Sequence, residues 1–189
     1  NNTPLQKINR IKYFGGNNIN IHIDGDTFNQ TLNKSLEYSS NNNKSFIHPF
    51  DDKDVIDGQA TIGYEIDIQS QDNGFKPDLI LTSVGGGGLI AGLSQYFSDN
   101  NIVNKPYIYG VEPKGAASLY ESLKQKQRIL LDDIDNFVDG ASVSQIGELT
   151  YDICLQNSNI NIKDVYTVTN DFISHELINC YQDDGIILE

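Results

Sequence analysis

The residues with the clearest chemical potential are glycines. Ser83-Val84-Gly85-Gly86-Gly87-Gly88-Leu89 lies between an apolar run ending at Val84 and a segment with Leu89, Ile90, Leu93, Tyr96 and Phe97 at helical spacing. Each glycine inside an element costs about 0.5–1 kcal/mol relative to alanine, so four in succession imply that something must approach the backbone closely. Their amides can converge as a nest while the following helix presents its positive end, which is how a phosphate is held. No Lys-Ser or Lys-Thr follows the run, so it is not a nucleoside-triphosphate P-loop. It does satisfy G-x-G-x-x-A at Gly86, Gly88 and Ala91, and Glu112 ends the next apolar strand, where a dinucleotide fold keeps its ribose-binding acid. On spacing alone, an NAD-type oxidoreductase domain and another phosphate-bearing cofactor both stay open, beside the plain reading of a tight strand–helix turn.

The other reactive side chains have blander readings. His48, ahead of Pro49, reads as a packing or hydrogen-bonding residue, and His22 and His175 as solvent-facing. Cys154 and Cys180 have no CxxC spacing and sit on apolar helix faces, which points to a reduced, cytoplasmic setting and to core thiols. Asp51, Asp52 and Asp54 read as caps and turns, with Asp54 placed to cap a helix. Asp132, Asp133 and Asp135 read as a solvated loop. No Ser-His-Asp or Cys-His constellation emerges, and no ligand cluster suggests a metal.

Alternating elements must position the glycine run. Helices are expected over Pro4–Gly16, from Thr27 to about Ser40, from Asp54 through Ile66, over 89–97, 116–124 and 145–154, and from an Asn170 cap to Tyr181. Strands are expected at 19–23, 45–47, 79–84, 107–111 and 165–168, with 186–188 opening another. Strands alternating with helices mean βα units: an α/β fold with a largely parallel, twisted sheet and helices on both faces. Of the 189 residues 38% are hydrophobic, enough for a core, while 26 acidic against 13 basic residues give a net charge of −13. That balance argues against nucleic acid and anionic membranes as partners, and no apolar run is long enough to span a bilayer. Any phosphate must therefore be held by backbone dipoles rather than by a basic patch. A chain without methionine that opens Asn1-Asn2 is expected to be part of something longer.

Two long motifs carry a family resemblance. His48-Pro-Phe-Asp-Asp-Lys-Asp-Val-Ile-Asp-Gly-Gln-Ala-Thr-Ile-Gly-Tyr-Glu-Ile66 is followed about twenty residues later by Ser83-Val-Gly-Gly-Gly-Gly-Leu-Ile-Ala-Gly92. Pro4-Leu-Gln-Lys, Phe14-Gly-Gly, Gly25-Asp-Thr-Phe28, Val111-Glu-Pro-Lys-Gly-Ala-Ala-Ser118, Phe137-Val-Asp-Gly-Ala-Ser-Val and Ile146-Gly-Glu-Leu-Thr150 continue it over nearly the whole chain. The pattern resembles the threonine dehydratase (threonine deaminase) family, pyridoxal-phosphate enzymes of the tryptophan-synthase-β fold type (fold type II), and its Glu-Pro-x-Gly-Ala-Ala-Ser stretch resembles the biosynthetic branch.

The resemblance implies pyridoxal 5'-phosphate as cofactor, an amino-acid substrate, a homo-oligomer, and deamination of L-threonine, and of L-serine, to the 2-oxo acid and ammonia, a first step towards isoleucine. It implies that Gly85, Gly86, Gly87, Gly88 and Leu89 donate amides to the cofactor phosphate. Gly140 would lie against the pyridine ring, Glu189 near that ring, and Phe28 in the substrate pocket, where related serine racemases tend to carry arginine. Glu112, Ala116 and Ser118 match positions that hold a divalent cation in racemase-like relatives, but Ser118 replaces the acidic ligand, so no metal is expected. Residues 1–46 would be the C-terminal part of the small subdomain and 47–189 most of the large one, an incomplete fold. The family's Schiff-base lysine, in a Ser-x-Lys-x-Arg stretch, has no counterpart in this chain. No catalytic residue is therefore assigned, and the isolated fragment is expected to be inactive. A non-catalytic, truncated relative is the remaining alternative.

Overall fold

A computed structural model describes residues 3–99, 101–102, 105–157 and 165–188. The chain divides into two compact units, Asn1–Ile47 and His48–Glu189. The first contains helices α1 (Leu5–Gly15) and α2 (Phe28–Asn41). Thr27 caps α2, its Oγ1 accepting the Gln30 N–H at 3.3 Å, which satisfies one of the orphan donors of the first turn. The alternating isoleucines at 19, 21 and 23 form no strand, and neither does the segment 45–47. Ile19 is extended, with φ −124° and ψ 148°, yet a strand also needs a hydrogen-bonded neighbour, and none pairs with it among the described residues.

The second unit contains α3 (Lys53–Asp72), β1 (Leu79–Ser83), α4 (Gly88–Ser98), β2 (Tyr107–Pro113), α5 (Ser118–Gln125), α6 (Glu148–Gln156), β3 (Val165–Val168) and α7 (Asn170–Asp184). The strands form a parallel sheet in the order β1-β2-β3, with Leu79 opposite Tyr107 and Gly110 opposite Val165. This is the α/β architecture expected. Ile80, Thr82, Ile108 and Gly110 point to the side covered by α4, as the period-2 alternation of a strand requires. On the opposite side Leu79, Leu81, Tyr107 and Tyr166 stay exposed, and Tyr109 stacks on Tyr166 at 5.5 Å between ring centroids.

The core gathers around α4, whose Ile90, Leu93 and Phe97 are fully or almost fully buried among Ile56, Ile108, Leu119 and Ile146. Each such side chain contributes roughly 1.5–3 kcal/mol by leaving water. The α3–α4 crossing is close because Gly92 faces α3: a Cβ there would stand 2.7 Å from the Ala60 nitrogen and 2.8 Å from the Ile56 carbonyl oxygen.

Several element ends differ from expectation. Asp52, not Asp54, caps α3, its Oδ1 accepting the Asp54 N–H at 2.8 Å and the Val55 N–H at 3.4 Å. Asp52 has the extended backbone of a cap, while Asp54 already lies inside the first turn. Thr169 caps α7, and the side chain of Asn170 instead donates to Asp135 at 2.6 Å. Residues 186–188 do not enter a strand. Gly185 turns left-handed at φ 69°, and the Ile186 N–H folds back onto the Cys180 carbonyl at 3.2 Å, sealing the helix end.

Candidate functional site

β1 delivers the chain to Val84, whose N–H still bonds the Val111 carbonyl of β2 at 2.9 Å. The glycines then turn the backbone into α4. Gly87 sits at the N-cap with φ 91° and ψ 1°, a left-handed conformation that costs a residue with a Cβ roughly 1–2 kcal/mol. Its carbonyl closes the first turn by accepting the Ala91 N–H at 3.0 Å. The N–H groups of Gly88, Leu89 and Ile90 have no partner within the helix, as at any helix start. Among the described residues, no amide from Gly85 to Ile90 donates to a protein acceptor. The Leu89 side chain packs against the core.

Packing on both sides explains why these positions are glycine. A Cβ on Gly86 would be driven into the Phe50 ring, and one on Gly87 would stand 2.5 Å from Ile146 Cδ1. Phe50 is held in turn by His48, whose Nδ1 accepts the N–H of Asp51 at 2.8 Å and of Phe50 at 3.3 Å. His48 therefore takes the hydrogen-bonding role read from the sequence.

The Phe137–Val143 segment meets the glycine run. Gly140 belongs to a short 3-10 turn, Asp139–Ala141, and a Cβ on Gly85 would lie 3.0 Å from its carbonyl oxygen and 3.2 Å from Ala141 Cα. At Gly140 itself an added Cβ would meet nothing within 4 Å. Its exposed face therefore borders open space beside the glycine run. Phe28 lies in the other unit, at the first position of α2, and Glu189 lies outside the described residues.

Two residues of this region carry roles that spacing did not disclose. Asp51 Oδ2 accepts the Glu148 N–H at 2.9 Å, and Oδ1 accepts those of Leu149 at 2.9 Å and Thr150 at 3.2 Å. Asp51 is thus a cap, as read, but of α6, 97 residues away. Thr150, fully buried, donates from Oγ1 to the Gly86 carbonyl at 2.9 Å, and the Gly147 N–H reaches the same carbonyl at 3.3 Å. The signal available in the sequence was negative. Gly147, ahead of α6, has no side chain to cap the helix, so a cap had to come from elsewhere.

Glu112 is fully buried at the end of β2. Its Oε1 accepts the Leu119 N–H at 2.9 Å and its Oε2 the Tyr120 N–H at 2.8 Å, capping α5. Burial pushes its carboxyl up to about 7 against the opposing pull of those amides. Both oxygens are used inside the fold, so Glu112 is not poised to hold a ribose, and the dinucleotide reading loses its acid. Cys154 is buried near it, with its thiol pushed up to about 12 by burial first and then by Glu112. Among the described residues no group of three His, Cys, Asp or Glu side chains could hold a metal ion, and no helix is long and apolar enough to cross a membrane.

Comparison with known proteins gives this geometry a context. The family model of pyridoxal-phosphate-dependent enzymes matches residues 1–189. A biosynthetic L-threonine dehydratase of Staphylococcus saprophyticus is 42% identical over 188 residues, covering 99% of this chain and 43% of that protein. The solved processed form of threonine deaminase isoform 2 from Solanum lycopersicum matches all of the chain and 51% of its own, at 38% identity and a TM-score of 0.83. A pyridoxal 5'-phosphate-dependent aspartate racemase matches at 26% identity and a TM-score of 0.84, over all of this chain and 54% of that one. The chain thus spans about half the length of the relatives it matches. A parallel sheet, a glycine run at the head of α4 and a match over the full length together place it: the chain belongs to the pyridoxal-phosphate-dependent enzyme family.

Proposed function

We propose that the chain is part of a lyase that converts L-threonine, and also L-serine, to the 2-oxo acid and ammonia, the first step towards isoleucine. The observation that carries this reading is the set of amides from Gly85 to Leu89 left without protein acceptors at the head of α4, next to the open face of Gly140. A phosphate ester bearing a flat ring fits both features. The amides and the positive end of α4 would hold the dianion without a basic side chain, and an unhindered glycine leaves room for a ring.

In this reading Gly85, Gly86, Gly87, Gly88 and Leu89 donate to the phosphate, and Gly140 lies beside the ring. Phe28 contributes to the substrate pocket as an apolar wall, favouring dehydration over racemisation. Residues 1–46 form part of a small subdomain and residues 47–189 most of a large one. When bound, pyridoxal phosphate supplies an electron sink for charge developing at the substrate Cα. The protein's part is to fix the phosphate end, so that the reacting bond keeps one orientation to the ring. None of the chain's lysines has the Ser-x-Lys-x-Arg context of the family's cofactor lysine, so we assign that lysine to the part of the relatives this chain does not span. The names of the Staphylococcus and Solanum relatives support threonine as substrate. A homo-oligomer in the cytoplasm accords with the family and with the unpaired Cys154 and Cys180.

The test is direct. The full-length protein containing this chain, incubated with L-threonine and pyridoxal phosphate, is expected to release 2-oxobutanoate and ammonia in equal amounts. Absence of the oxo acid together with absence of bound cofactor would refute the proposal.

A further inference from the structure

A run of four glycines is the segment of a chain least able to hold one conformation unaided, yet an anion site made of amides works only if each N–H keeps its direction. The Gly86–Gly87 peptide is trans, as all the described peptides are, so its carbonyl and its N–H point in opposite directions. Whatever fixes the Gly86 carbonyl therefore also aims the Gly87 amide. Two donors fix it: Thr150 Oγ1 at 2.9 Å and the Gly147 N–H at 3.3 Å, both from the start of α6. Asp51 locks that start by accepting the amides of Glu148, Leu149 and Thr150 on its two carboxylate oxygens. The same carboxylate occupies the positive end of α6, which leaves α4 as the neighbouring helix start with unpaired amides for an incoming anion.

We propose that Thr150 and Asp51 are positioning residues for the cofactor phosphate: Thr150 pins the Gly86 carbonyl so that the Gly87 N–H faces the anion, and Asp51 holds Thr150 in place. Neither touches the phosphate. Without the Thr150 hydroxyl the Gly86–Gly87 peptide keeps one weaker donor, and glycine on both sides lets it rotate at little steric cost. This inference rests on the phosphate-site reading above.

The experiment uses the full-length enzyme and measures pyridoxal phosphate affinity by titration, the 31P resonance of the bound phosphate, and the melting temperature without cofactor. Thr150→Val keeps the shape and removes the donor, and is expected to weaken cofactor binding about tenfold, the equivalent of about one hydrogen bond, with a shifted or broadened 31P signal. Thr150→Ser, which keeps the hydroxyl, is expected to stay within about twofold of wild type. Asp51→Asn, which removes the charge and one acceptor, is expected to weaken binding by a few-fold and supplies the test should the valine variant not fold. Variants that lower only the melting temperature, with wild-type affinity and an unchanged 31P signal, would show a merely structural role and overturn the inference. Wild-type protein that binds neither pyridoxal phosphate nor inorganic phosphate would instead overturn the site reading itself.

Discussion

Glu112 offers a prediction whose size and sign both follow from its surroundings. Its carboxyl is fully buried, and burial raises it from the ordinary value of 4.5 to about 7 even though two α5 amides favour the charged form. Between pH 4.5 and 7 the folded chain holds a proton that the unfolded chain has already released. Stability from this group is therefore fully present below 4.5, falls as pH rises, and levels off above 7. At about 1.4 kcal/mol per pH unit, the loss across that window amounts to about 3 kcal/mol. Glu112→Gln cannot titrate, so its stability should lack this slope, although one α5 amide will face a side-chain NH2 instead of an oxygen. Urea denaturation followed by circular dichroism at pH 5, 6, 7 and 8 measures both proteins. The difference between them cancels the carboxyls that titrate alike in each, such as Asp24, held low by its hydrogen bond from Lys34, and Asp57, held low by that from Lys53. A difference that stays constant across this range would refute the assignment of the buried proton to Glu112.

Two further outcomes concern single side chains. Cys154 is fully buried with its thiol pushed up to about 12, whereas Cys180 is half-buried; a disulfide-exchange reagent at pH 8 should therefore label Cys180 in the native protein and Cys154 only after denaturant, and rapid native labelling of both would contradict the packing around α6. Gly86→Ala would drive a methyl into the Phe50 ring, an overpacking expected to cost about 1–3 kcal/mol; thermal melting would show this loss, with partial recovery when Phe50→Ala is added, and an unchanged melting temperature would mean that the loop does not need glycine there.

The parts of the fold that were legible in the sequence are those whose signal is local. β1, β2 and β3 read as strands from their β-branched, aliphatic and aromatic residues, although only the side under α4 is buried, and the glycine run announced the loop between β1 and α4 by its cost. The parts that were not legible depend on residues far away in the chain. Ile19, Ile21 and Ile23 alternate as a strand should, but strand pairing is not a local property. The sequence places the start of α6 at Gln145, whereas the helix begins at Glu148, where the distant Asp51 caps it. Glu112 stands where a ribose-binding acid would, and its burial under α5 decides against that use. Thr150 belongs to an otherwise ordinary helical turn, and its bond to Gly86 exists only once two segments 64 residues apart are packed together.

The bonds from Asp51 to the start of α6 also carry a consequence for biosynthesis. At about 5–20 residues per second, the ribosome needs some 5–20 s after adding Asp51 to add the helix that Asp51 caps, 97 residues later. During that interval β1, the glycine run and α4 can already be outside the exit tunnel while the Gly86 carbonyl still awaits Thr150. The nascent loop is then a flexible glycine tether, and it acquires its fixed amide directions only when α6 arrives. The fixed geometry of this loop is therefore timed by the arrival of residue 150 rather than by synthesis of the glycines themselves.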